Sequence, residues 1–218
     1  MKAKIKITLP TLLTLAFTSG IFFSMGCKTT DAKSRPEETS SCMTLGEQYW
    51  NSDVVASEKW FRKAAEQGDP LAQHRVGVIL VSGRLGRKDF VEGLKWFRKA
   101  AAQGYGESQF SLGLHYALGE GVPQNYTEAA KWLHQAADQG ICLAQMTLGS
   151  LYANGQGVQQ DKVEAYKWYF LASGGVDEIA RQQKLAALKL EMTPEQIQEA
   201  EARAQQLVAK RVGAAEVK

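Results

Sequence analysis

Residues 105–140 read YGESQFSLGLHYALGEGVPQNYTEAAKWLHQAADQG, and the same framework stands 36 residues to either side. Lys95-Trp96, Lys131-Trp132 and Lys167-Trp168 keep that spacing, with Lys59-Trp60 one step earlier. Ala64-Ala65, Ala100-Ala101 and Ala136-Ala137 follow, then Gly68, Gly104 and Gly140. Upstream, Gly77, Gly113 and Gly149 hold the register, as do Gly83, Gly119 and Gly155. So many matches at one period mark a repeat architecture, in which each unit buries its apolar face by stacking on its neighbours.

Each unit reads as a pair of helices, A and B. In the second repeat helix A is predicted from Leu71 to Val81, with Ala72, Val76, Gly77 and Leu80 on one face. The small residues at 72 and 77 let helix B approach closely. Glycine-rich turns follow, Gly119-Glu120-Gly121-Val122-Pro123 and Gly155-Gln156-Gly157-Val158. Helix B then opens with Asp89 and Glu92, Asn125 and Glu128, or Asp161 and Glu164, the pattern of a capping box. Those glutamates are also placed to pair with Lys95, Lys131 and Lys167. A glycine in the left-handed position closes each helix B. The tryptophans are expected in the core.

The first repeat is shortened: Gly46 to Asp53 spans seven residues where Gly77 to Asp89 spans twelve. After Trp168 the pattern lapses, with Gly174-Gly175 arriving early. Asp177 to Lys189 and Pro194 to about Val212 read as two polar helices that cap the array, since a terminal repeat must present a soluble face. The expectation is an all-α, right-handed superhelical solenoid: four repeats over residues 41–175, capping helices and a tail over 176–218.

The framework Ala/Ser-x4-Gly-x2-Tyr-x2-Gly-x-Gly-Val-x2-Asp/Asn-x3-Ala-x2-Trp-x3-Ala-Ala-x2-Gly resembles the Sel1-like repeat, a relative of the tetratricopeptide repeat. The resemblance implies a non-catalytic scaffold or adaptor for a protein or peptide partner, with no cofactor. It also implies one alternative, an enzyme-like repeat protein acting on cell-wall or β-lactam substrates, as described for cysteine-rich secreted members. Those carry paired cysteines in each repeat, which this chain lacks, and no Ser-x-x-Lys stands here for a serine acyl-enzyme.

The first 26 residues read as an export signal. Lys2, Lys4 and Lys6 form a positive start, Ile7 to Phe23 an uncharged apolar run, and Ser24-Met25-Gly26 precede Cys27. This ending resembles the lipobox of bacterial lipoproteins, with Ser24 where leucine is usual. The resemblance implies acylation of Cys27 and anchoring in the cell envelope; the Lys/Thr/Ser/Glu/Pro composition that follows reads as a flexible tether, over residues 27–40 with the cysteine. Cleavage by an ordinary signal peptidase, or retention as an anchor, are the alternatives.

Of 26 basic residues, three belong to that leader, which leaves 23 against 23 acidic ones. A neutral chain has no general attraction for a phosphate backbone, so nucleic acid is excluded as the partner. His74, His115 and His134 lie on different helices without ligand motifs and predict no metal site. Cys42 and Cys142 fall on the first helices of repeats one and four, too far apart for a disulfide.

Two surfaces remain. On the far side of helix A stand His74 and Val78, then Phe110, Leu114 and Leu118, then Met146, with Leu71 and Leu143 beside them. They serve either packing between neighbouring repeats or an exposed groove for a peptide or helix. The basic run Arg84, Arg87, Lys88, Lys95, Arg98 and Lys99 is either an idle solvated face or an attractor for an acidic partner.

Overall fold

The computed structural model describes residues 36–174 and 177–215, which form ten helices and no strand. They are α1 (Pro36–Tyr49), α2 (Val54–Glu66), α3 (Pro70–Ser82), α4 (Phe90–Ala102), α5 (Gly106–Leu118), α6 (Tyr126–Asp138), α7 (Cys142–Asn154), α8 (Lys162–Leu171), α9 (Glu178–Lys189) and α10 (Pro194–Ala215). Odd-numbered helices to α7 are the A helices and each packs on the B helix that follows; each B helix packs in turn on the next A helix. The leader, Cys27 and most of the tether lie outside the described residues. Helix α1 starts inside the stretch expected as tether, with Glu37 and Glu38 in its first turn, where the helix dipole favours carboxylates.

The framework glycines act as docking notches. A Cβ on Gly46, Gly77, Gly113 or Gly149 would stand 2.5, 2.5, 2.6 or 2.8 Å from Phe61, Phe97, Leu133 or Tyr169. Those four side chains are all but fully buried. Each follows a framework tryptophan, so the centre of each pair is this residue and not the tryptophan. The Gly46–Phe61 contact also shows that the shortened first repeat keeps the packing of the others.

The tryptophans join one repeat to the one before. Trp96 packs with Phe61, Ala64 and Ala65, and Trp168 with Ala129, Ala130 and Leu133. Both are 5% exposed or less. Trp132 packs against Leu94, Phe97 and Ala101 but stays half-buried, and so does Trp60. The expectation of four core tryptophans therefore holds for two.

Only half of each capping box forms. Asp89, Asn125 and Asp161 accept from the backbone N–H of Glu92, Glu128 and Glu164, each at 3.0 Å. Their own N–H groups donate to helix A carbonyls, of Leu80, Tyr116 and Tyr152, at 2.8, 2.8 and 3.1 Å. With no donor to reach back to, the glutamates pair with Lys95, Lys131 and Lys167 at 3.2, 2.5 and 2.5 Å. Glycines in the left-handed region end the helices as expected, Gly83, Gly119 and Gly155 after A and Gly68, Gly104 and Gly140 after B.

Helix α9 begins 36 residues after α7, where a fifth A helix would stand. Helix α10, however, lies against α8 and does not pair with α9 as earlier B helices pair with their A helices.

Candidate partner-binding surfaces

The A helices are buried on two faces, one against each flanking B helix. Gln73, Gln109 and Gln145 occupy the second face and are at most 4% exposed. Each donates Nε2 to a carbonyl near the end of the preceding B helix, Ala65, Ala101 and Ala137, at 3.1, 3.2 and 3.1 Å. Gln103 donates to Gly68 O at 3.0 Å and to Gln73 Oε1 at 2.9 Å. Gln139 repeats this on Gly104 O at 3.0 Å and Gln109 Oε1 at 2.8 Å. The sequence has glycine at 175, where the next donor of the series would stand, and the buried Oε1 of Gln145 has no partner among the described residues. Sequence reasoning passed over this ladder, although its glutamines recur at the same 36-residue period.

Packing between repeats takes up four of the six candidates on the far side of helix A. His74 Nδ1 lies 2.9 Å from Ser108 Oγ, and its ring packs on Phe97 and Tyr105 of the next repeat. Phe110 holds the equivalent place against the cluster around Ala144 and Leu148, and Met146 against Tyr166 and Tyr169. Val78 joins Leu94, Phe97 and Leu112. Leu114 is half-buried and Leu118 is 63% exposed. Leu143, 47% exposed, opens α7 whereas Leu118 closes α5, so the two do not share a patch.

All three histidines sit in these seams. Burial, helped by Arg75, pushes His74 down to about 4. Burial likewise lowers His115, which rests on Phe90 and Phe97, against the opposing pull of Glu120. It lowers His134, whose Nε2 is 2.8 Å from the Tyr152 hydroxyl. Desolvation in a packed seam accounts for these shifts. Among the described residues no three His, Cys, Asp or Glu side chains gather as a metal site.

Most of the basic run is engaged locally. Arg84 donates to the Trp50 carbonyl and lies 4.2 Å from the Trp50 ring centre, which Arg75 approaches at 5.0 Å. Lys95 pairs with Glu92, and Lys99 Nζ stands 4.0 Å over Trp96. Lys88 lies near Phe90 at 5.5 Å, and Arg98 donates to the Tyr116 hydroxyl at 3.3 Å. Arg87 is exposed.

Helix α10 reaches two repeats back. Ala200 and Ala204 are buried, Ile197 packs near Tyr166, and Leu207 joins the cluster around Trp168. Arg203 pairs with Glu164 at 2.9 Å, Tyr166 donates to Glu201 at 3.2 Å, and Arg211 donates to the Ala137 carbonyl at 2.7 Å. A cleft of about 340 Å³ remains between α6, α8 and α10, lined by His134, Asp138, Lys167, Trp168, Arg203 and Lys210 among others.

Residues 51–69, 70–105, 106–141 and 142–173 match the Sel1 repeat profile. No curated protein matches the chain. Among solved structures, the chain is 34% identical to a protective antigen of uropathogenic Escherichia coli that displays an SLR fold, with a TM-score of 0.72 over 79% of this chain. It spans only 38% of that antigen's length. A Sel1 repeat protein from Oxalobacter formigenes is 30% identical, with a TM-score of 0.63 over 77% of this chain and 73% of the other.

Proposed function

Because the chain belongs to the Sel1 repeat family, whose members generally serve as protein-interaction scaffolds, we propose that it is a non-catalytic adaptor held in a bacterial cell envelope through an acylated Cys27. The family match carries the scaffold reading. The chain's glycines, tryptophans, histidines and ladder glutamines serve stacking, and stacking leaves long open faces. On the A side the half-buried Leu114 and the exposed Leu118, one turn apart, are the apolar side chains that we assign to a protein partner. Arg87 and Lys88, on the neighbouring turn, would favour acidic groups on that partner.

The charged start, the apolar run and Gly26-Cys27 support the envelope location. Acyl chains contribute about 0.8 kcal/mol per buried methylene, and stable attachment takes more than one. A protective antigen among the similar structures suits an exported protein.

The test is a cross-linking pull-down from native envelope, with wild type beside a Leu114→Ser, Leu118→Ser variant. The variant should keep its helicity and lose the cross-linked partner; an unchanged cross-linking pattern refutes the assigned face. Cys27→Ser should move the protein out of the membrane fraction or leave an unprocessed precursor. Normal processing and membrane retention in that variant would remove the lipoprotein reading.

A further inference from the structure

The B-helix side carries a second surface, distinct from the A-side leucines. Helix α10 shows what fits there: an amphipathic helix whose Leu207 joins the cluster around Trp168, with Ala204 buried and Ala200 set against Tyr166 and Tyr169 of α8. That groove is negative. Asp138 and Glu164 outnumber Lys167, and burial keeps His134 neutral at pH 7. The occupant answers with cations, Arg203 on Glu164 and Arg211 on the Ala137 carbonyl, with Asp138 attracting the Arg211 charge.

The 36-residue period places the same groove one repeat upstream, between α4 and α6. There His134, Asp138, Glu164, Lys167 and Trp168 become Arg98, Ala102, Glu128, Lys131 and Trp132. The sign of the charge reverses, because Arg98 and Lys131 now face a single carboxylate, Glu128. Alanine in place of aspartate also leaves more room.

Three details show this groove as the uncovered one. Trp168 is 2% exposed, beneath Lys167 and beside Leu207. Trp96 is 5% exposed, with Lys99 at 4.0 Å and Arg62 at 5.7 Å over its ring. Trp132 is half-buried, and among the described residues no cation lies over it. The Ala101 carbonyl accepts from Gln109 and Gly104, as Ala137 does from Gln145 and Gly140, but among the described residues nothing stands to it as Arg211 does to Ala137.

We propose that the groove between α4 and α6 docks an amphipathic helix of a protein partner, its small-residue face set against Trp132 and its acidic flank against Arg98 and Lys131. Charge chooses this occupant. A helix with the basic face of α10, including that of a second copy of this chain, meets like charge in this groove and is disfavoured.

The probe is a synthetic helix with the length of α10 and its Ala-x3-Ala-x2-Leu face, carrying glutamate in place of Arg203, Lys210 and Arg211. Titrated into the full chain, it should bind in the micromolar range. Arg98→Glu, at an exposed position and checked for unchanged helicity, should weaken it about tenfold or more. The unmodified α10 sequence should bind wild type about tenfold more weakly than the acidic probe. Three results overturn the proposal: no binding of the acidic probe, equal binding by Arg98→Glu, or tighter binding of the basic helix. Sedimentation covers the remaining occupant. A dimer that Arg98→Glu abolishes would assign the groove to a second copy and likewise overturn the acidic partner.

Discussion

Gln139 donates its side-chain amide to Oε1 of Gln109 at 2.8 Å, and Gln103 stands in the same relation to Gln73. Each inner glutamine thus accepts from one repeat while donating to a helix end of another. Buried amides left without partners cost more than paired ones return, so the ladder makes the seams specific as well as tight. Gln109→Leu should lower unfolding stability by about 1–3 kcal/mol, because it takes the acceptor from one N–H of the Gln139 amide and strips one donor from Ala101. The urea midpoint measures this; a change under about 0.5 kcal/mol would mean that water replaces the rung at no cost.

Gly113→Ala is expected to destabilise by about 1–3 kcal/mol, since its new methyl would stand 2.6 Å from Leu133 Cγ and helix B would have to move. Gly213→Ala is the control. Nothing lies within 4 Å of that site on α10, so alanine there should be neutral or stabilise by up to about 1 kcal/mol through helix propensity. Equal effects from the two changes would contradict the notch reading.

Trp168→Ala should cost about 3–5 kcal/mol, the loss expected for a large aromatic removed from a core. Trp132→Ala should cost roughly half as much, because that indole is half-buried. Thermal melts of the pair rank them; the reverse order would show that the repeat seams are not equivalent in the way the burial indicates.

The pH dependence follows from His74, held at about 4 in the folded chain against an ordinary 6.5. Above 6.5 both states are neutral and the histidine costs nothing. As pH falls toward 4 the unfolded chain takes up the proton and the folded one does not, so stability drops, by at most about 3 kcal/mol. His115 and His134 push in the same direction. Denaturant midpoints should fall more between pH 7.5 and 4.5 for wild type than for His74→Phe, whose profile is flatter. Parallel profiles would remove His74 as a cause.

Helix pairs, turns and stop signals were legible because they repeat and because each rests on local chemistry: an N-cap acceptor, a left-handed glycine, a four-residue helical stripe. What the sequence left open was whether the far face of helix A is buried between repeats or exposed. A periodicity argument finds the stripe that meets one partner, and Ala72, Val76, Gly77 and Leu80 supplied it. For His74, Phe110 and Met146 it leaves packing against the next repeat and an exposed groove both open, since the choice depends on how far successive A helices stand apart; the structure gives the packing. Gln73 and its equivalents went unread for another reason: a polar residue gives no sign of burial until its partner, here a carbonyl eight residues earlier, is known. The course of α10 was not readable either, because Arg211 reaches Ala137 across 74 residues.

The ladder contacts of Gln103 and Gln139 reach back one unit and no further, and Arg211 alone among these donors spans two. An inheritance follows. Unequal recombination that inserts one whole 36-residue unit between repeats two and three would rejoin like with like, and α10 would keep repeats three and four beneath it. Such a gene can lengthen its product in whole steps without rewriting either end, so copy number is a coordinate along which selection can move.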